Sequence, residues 1–251
     1  MDTAGLTLLA ACNGAARHAA AFEAVGAVST QDDDAWWATE PGPPIYHDWI
    51  SLREAAERDG GAARLQVLFD ARGGTVSVLD PWTRLELAGA GFTIDQPQHW
   101  YAREPGPTDV ATPPDLKLRR VTDRAGLADF ERTMALGFGG AAPTSGALLG
   151  GSLVDDARFR FWLGWWRGEA VVTATAVVAA GVLGVYDVAT LPHARGHGFA
   201  SAATSAALST APGMTAVLDA EPAAATLYQR LGFQEFAVFR TWWRPTTEAR
   251  A

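Results

Sequence analysis

The chain of 251 residues has room for one large domain or two of about 125 residues each, and its 48% hydrophobic and 19% charged content is ordinary for a packed globular protein. Twenty basic residues against twenty-eight acidic ones give a net charge of −8, which argues against a general nucleic-acid binder. Lys117 is the only lysine, so no Walker phosphate loop exists, and Cys12 is the only cysteine, which excludes an intrachain disulfide and a thiolate metal cluster. No apolar run reaches the length of a membrane span, and Met1 to Ala11 lacks the positive start of a signal peptide, so the expected location is the cytoplasm.

In chain order, residues 4–25 are alanine-rich and expected to be helical. Residues 36–39 and 45–50 read as short strands around the Pro-Gly-Pro-Pro turn. A helix is expected over 62–72, with Leu65, Leu68 and Phe69 on one face and Gly73-Gly74 as its stop. Residues 75–79 form a strand, Pro81 opens a short helix ending at Gly89 or Gly91, and 98–103 is a further strand. The prolines of Glu104-Pro105-Gly106-Pro107 and Thr112-Pro113-Pro114-Asp115 deny backbone donors and favour extended chain, so 105–114 reads as a linker between domains 1–104 and 115–251.

Beyond it come a strand over 116–121, a helix capped by Asp123 and reaching about Leu136, and a loop from Gly137 to about Gly151. Three strands follow at 159–166, 170–178 and 183–190, the first two joined by the turn Arg167-Gly168-Glu169. A helix over 198–210, a strand over 215–219, a helix over 222–231 and a last strand over 236–243 complete the pattern.

The chemistry concentrates in Gly184 to Ser201, where a strand enters a glycine-rich turn and then a helix. Arg195-Gly196-His197-Gly198-Phe199-Ala200 places backbone N–H groups without helical partners at the positive end of a helix, which suits a pyrophosphate. Here the chain resembles the GNAT superfamily of acyl-CoA-dependent N-acetyltransferases. Its signature, Arg/Gln-x-x-Gly-x-Gly/Ala, is matched by Arg195, Gly198 and Ala200, and Leu227-Tyr228-Gln229-Arg230-Leu231-Gly232-Phe233 is similar to the Leu-Tyr-x-x-Leu-Gly-Phe that follows it in the family. The resemblance covers about 116–245.

The resemblance implies an α+β fold, a mixed and mostly antiparallel sheet flanked by helices, with acetyl-CoA as co-substrate and no metal. It implies that Val188, Ala189 and Thr190 hold the pantetheine arm through their backbone, and that Arg195, Gly196, His197, Gly198, Phe199, Ala200 and Ser201 hold the pyrophosphate. Tyr228 matches the tyrosine that protonates the leaving thiolate; a phenol is protonated at neutral pH, as this role requires. Where many members carry a strand glutamate as base, Val182 to Val185 has no carboxylate, and strand alternation sets Asp187 on the face opposite Tyr186 and Val188. Glu221 stands where the family often has asparagine; either it, a bound water or the substrate's own equilibrium has to supply deprotonation, and its position also suits a carboxylate opposing a helix dipole.

Pro81 to Phe92 followed by a strand looks like the end of a second GNAT unit, so the whole reads as two tandem GNAT-like domains, the first degenerate and without a cofactor loop. The expected activity is acetyl transfer from acetyl-CoA to a small-molecule or peptide amine by direct attack; the alternative is a non-catalytic acyl-CoA-binding regulatory or interaction module. No nucleic-acid or membrane partner is expected, and a homodimer is compatible with the sequence. His193 and His197 lie in a turn with no third ligand, so they do not make a metal site, and Asp32-Asp33-Asp34 reads as a solvated loop.

Overall fold

The computed structural model describes residues 2–58, 60–72, 74–95, 97–108 and 110–245. Asp109 of the expected linker and residues 246–251 of the expected second domain lie outside these ranges.

The first half opens with α1 (Thr3–Ala24), whose N-cap Asp2 accepts from the Gly5 N–H at 2.7 Å. Strands β1 (Ser29–Gln31), β2 (Ala35–Ala38) and β3 (Trp49–Ser51) follow, then α2 (Glu54–Arg58), α3 (Gly61–Arg72), β4 (Val76–Asp80), β5 (Thr93–Ile94) and β6 (Gln98–Arg103). Two expectations fail here. Residues 45–48 form a turn, with the Tyr46 N–H bonded to the Pro43 carbonyl, and only the end of the expected strand pairs. After Pro81 there is no helix beyond a single 3-10 turn at Ala88–Ala90, because Thr83 takes a left-handed φ of 59°, with the Trp82 and Arg84 N–H groups held by the Glu57 and Asp80 carboxylates.

The second half follows the expected order: β7 (Leu116–Arg120), α4 (Arg124–Gly137), β8 (Phe159–Trp166), β9 (Glu169–Ala179), β10 (Val182–Thr190), α5 (Phe199–Leu208), β11 (Ala216–Ala220), α6 (Ala225–Arg230) and β12 (Gln234–Arg244). Asp123 caps α4 as anticipated, accepting from the Gly126 N–H at 2.8 Å. No helix among the described residues is long and apolar enough to cross a membrane.

Among the described residues the twelve strands join one sheet in the order β1-β2-β3-β4-β12-β6-β11-β10-β9-β8-β7, with β5 beside β12. The pairs are antiparallel except β3 with β4 and β10 with β11. The long β12 makes the sheet continuous: Gln234–Phe239 pairs with β6, and Arg240–Arg244 pairs with β4. Strand β6, which precedes the proline-rich segment, sits between β11 and β12. The segment itself is tied down: the Gly106 N–H donates to the Pro212 carbonyl, and the Arg103 guanidinium donates to the Gly106 and Pro107 carbonyls.

Helices α1 and α4 cover one face of the sheet over a core that includes Phe130, Phe161 and Trp36, while α5 and α6 cover the other over Val172, Leu183 and Phe233. A third cluster, with Trp49, Phe69 and Trp242, lies under α3. The buried face of α1 is mostly alanine and glycine, which lets its backbone lie close to β9 and β10. Buried Asn13 fixes its depth, its amide donating to the carbonyls of Val177, Ala179 and Val182 at 3.0–3.2 Å and its oxygen accepting from the Tyr186 hydroxyl at 2.8 Å.

Candidate active site

The site begins where β10 and β11 part. They pair in parallel only through Leu183↔Ala216 and Gly184↔Val217. A bulge between Tyr186 and Ala189 then turns β10 away, with Asp187 at a left-handed φ of 55°. A residue with a Cβ pays about 1 kcal/mol or more for that conformation, and its side chain is held by its neighbours. The Asp187 carboxylate accepts from Arg17 Nη2 at 2.6 Å and from Thr175 Oγ1 at 2.8 Å, while its carbonyl accepts from Thr173 Oγ1 at 2.7 Å. The alternation expected along this strand therefore breaks: Arg17 both bonds Asp187 and lies over the Tyr186 ring, 4.5 Å from its centroid, so both residues face α1.

The parted strands bound a cleft of about 1230 Å³. One wall carries Val188, Ala189 and Thr190; the other carries Asp219, Ala220 and Glu221, with Tyr228 of α6 beside them. At the mouth, Arg195, Gly196, Gly198, Phe199, Ala200 and Ser201 line the same cleft. Gly196 and Gly198 take φ of 79° and 76°, which fold the turn so that α5 starts at Phe199. The first helical bond runs from the Ala202 N–H to the Gly198 carbonyl, leaving the N–H groups of Phe199, Ala200 and Ser201 without helical acceptors. Helix α4 closes over this end because Gly137 has no side chain: a Cβ there would stand 2.9 Å from Ala189 Cβ and 3.1 Å from Thr190 N. The loop after α4 is pinned by buried Glu131, which accepts from the N–H groups of Gly146, Leu148 and Leu149.

Two of the anticipated phosphate-loop side chains point to other duties. The Arg195 guanidinium donates to the carbonyls of Gly137 at 2.8 Å and Thr190 at 3.2 Å, clamping α4 to the end of β10. His197 is not among the cleft-lining residues; its ring lies against Trp166 and Phe199, 4.9 and 5.4 Å between centroids. His193 meets Glu169 at 3.1 Å, and no group of three metal-binding side chains gathers among the described residues. Tyr228 is buried against Tyr101 and Phe233, and burial, reinforced by the negative charge of Asp219, pushes its phenol above the ordinary range. Glu221 is exposed and makes no capping bond to the 3-10 turn it precedes.

Residues 135–233 match the family model described as the acetyltransferase (GNAT) family. This part of the chain is a GNAT acetyltransferase domain. Over nearly its whole length the chain shares its fold with a GCN5-related N-acetyltransferase from Kribbella flavida, at 18% identity and a TM-score of 0.62, covering 93% of this chain and 96% of that one. A GCN5-related N-acetyltransferase from Sphaerobacter thermophilus aligns at 17% identity and a TM-score of 0.54, covering 96% and 95%. A tandem GNAT protein from the clavulanic acid biosynthesis pathway aligns at 9% identity and a TM-score of 0.54, covering 80% and 74%. Among curated proteins none matches this sequence.

The GNAT domain does not build its cleft alone. Helix α1 and the turn after β2 bring Arg17, His18, Ile45 and His47 to its closed end, beside Trp100 of β6. Arg17 lies between the rings of Tyr46 and Tyr186, 4.6 and 4.5 Å from their centroids. The imidazoles of His18 and His47 stack 5.5 Å apart; burial lowers both, aided at His18 by His47 and Arg17 and at His47 by Arg17, which brings His47 to about 4. His18 Nδ1 lies 2.7 Å from the Gly14 carbonyl, which fixes the proton there. None of these residues belongs to a motif, and an arginine or histidine in an alanine-rich helix gives no sign of its partner from sequence spacing. The one available signal was their rarity on an otherwise small-residue helix.

Proposed function

We propose that the protein transfers the acetyl group of acetyl-CoA to an amine acceptor by direct attack, with the GNAT domain holding the cofactor. The observation that carries this reading is one continuous cleft running from the unpartnered N–H groups at the start of α5, along the parted end of β10, to Tyr228. Anionic pyrophosphate suits the N-terminus of α5, where helix dipole and free donors coincide. The exposed edge of Val188–Thr190 offers backbone groups to the pantetheine amides, and an N–H near Val188 is placed to steady the oxyanion as the thioester carbonyl is attacked. Tyr228, protonated at neutral pH, gives its proton to the departing thiolate. Asp219 and Glu221 line the opposite wall and supply the negative charge that draws an ammonium.

The first half is read as a degenerate GNAT-like unit that walls the acceptor end and contributes no second cofactor loop. Its likeness in fold to a tandem GNAT protein supports this. Thiol release from acetyl-CoA in the presence of a panel of amines tests the activity. In Tyr228→Phe the expected kcat falls about a hundredfold, with CoA affinity unchanged; an unaltered kcat removes Tyr228 as the acid.

A further inference from the structure

Of the two carboxylates on the β11 wall, Asp219 is the deeper. It stands two residues past Val217, the last β11 residue to pair with β10, so its side chain faces the space opened by the parting strands. It is accessible to that space, yet protein surrounds it closely enough that loss of water raises its carboxyl above the ordinary range, against the lowering pull of Arg17. The charged and titratable groups facing it come from three elements: Arg17 from α1, Tyr186 and Asp187 from β10, and Tyr228 from α6. Arg17 is already matched by Asp187 at 2.6 Å. At the closed end of the cleft Asp219 makes no ion pair among the described residues, and the nearby cation, Arg17, is held by Asp187.

We propose that Asp219 receives the acceptor's ammonium group and takes its proton, and that this end of the cleft selects amines that carry no carboxylate of their own. The inference rests on the acetyl-transfer reading above and deepens it. An acceptor R–NH3+ neutralises the site, whereas an amino acid brings a second anion toward Asp187 and Asp219, where the adjacent cation, Arg17, is already held by Asp187. The walls around the pocket, Trp100, Phe239, Leu79 and Ile45, are apolar and suit a hydrocarbon or aromatic body.

The proton balance closes. One proton passes from R–NH3+ to the Asp219 carboxylate, and the freed lone pair forms the C–N bond to the acetyl carbonyl carbon. The C–S bond breaks with its electron pair on sulfur, which takes the Tyr228 proton. The proton lost from nitrogen after attack returns to the Tyr228 oxygen, and Asp219 releases its own to water in the cleft. The sum is R–NH3+ plus acetyl-CoA giving the amide, CoA thiol and one proton.

Three probes of one shape test the recognition by calorimetry on CoA-loaded protein: 2-phenylethylamine, 2-phenylethanol and phenylalanine. The amine is expected to bind at least about tenfold more tightly than either of the others, a difference of about 1.4 kcal/mol. Asp219→Asn should remove that preference and Asp219→Glu should restore part of it, with CoA affinity the same in both. Equal binding of the three probes, no binding of the amine, or an unchanged preference in Asp219→Asn overturns the assignment. For the proton transfer, thiol release with 2-phenylethylamine should fall about a hundredfold in Asp219→Asn and lose the acid limb of its pH profile. An unchanged limb refutes the base role. If CoA itself fails to bind, the acetyl-transfer reading fails; if CoA and the amine bind but no thiol appears, the transfer reading fails while the ammonium site stands.

Discussion

Replacing Asp187 with asparagine removes one charge from a pair that joins the two halves of the chain. Arg17 and Asp187 meet at 2.6 Å with their side chains only 11% and 6% exposed. Asparagine fits the same space, tolerates the left-handed backbone and can still accept from Thr175, so the loss is chiefly that of the countercharge. An uncompensated buried guanidinium costs about 3–5 kcal/mol, and the adjoining cleft lets water in, which places the expected value near the lower end, about 3 kcal/mol. Arg17→Met should cost a similar amount, because it strands the carboxylate. The double variant should be less destabilised than the two losses added, by about 2–3 kcal/mol. Urea unfolding followed by tryptophan fluorescence measures this; with a slope of about 2–3 kcal/mol/M, each single variant lowers the midpoint by about 1 M. Single losses below about 1 kcal/mol that simply add in the double variant would refute the pair as the tie between α1 and the bulge.

The stacked histidines make stability depend on pH. His47 titrates near 4 when folded and near 6.5 when unfolded, so the unfolded chain binds more protons between those values. Stability should therefore fall as pH drops from about 6.5 to 4, by up to about 3 kcal/mol from this residue. His47→Gln should flatten that slope in urea midpoints measured across the range, and an unchanged slope contradicts the assignment. Gly137→Ala forces α4 away from Ala189 and Thr190. It should destabilise the fold by about 1–3 kcal/mol and weaken acetyl-CoA binding; normal affinity would show that the close approach does not shape the pantetheine wall.

Local patterns announced most of the second half. Alternation, hairpin chemistry and the Asp123 cap marked β7 to β10 and α4, and the glycine turn with Leu227 to Phe233 marked the mouth of the cleft and α6 beside it. What stayed hidden depends on contacts between residues distant in sequence. The bulge at Asp187 exists because Arg17, 170 residues away, holds it, so a period-two reading of the strand sent the carboxylate to the wrong face. The helix expected after Pro81 fails at Thr83, whose left-handed φ of 59° accompanies the hold of Glu57 and Asp80 on the Trp82 and Arg84 N–H groups. The three-residue β1 and two-residue β5 are too short to show a period at all. The closed end of the cleft escaped notice for the same reason: Arg17, His18, His47 and Asp219 come from separate elements and meet only when α1 docks on β10.

Calorimetric titration of acetyl-CoA into the full chain tests the central claim most directly. The expected result is saturable binding with one molecule per chain, lost or strongly weakened in Gly198→Val, where a β-branched residue would have to adopt a φ of 76°. Absence of binding, or two equivalent molecules per chain, would contradict a single cofactor cleft between β10 and β11.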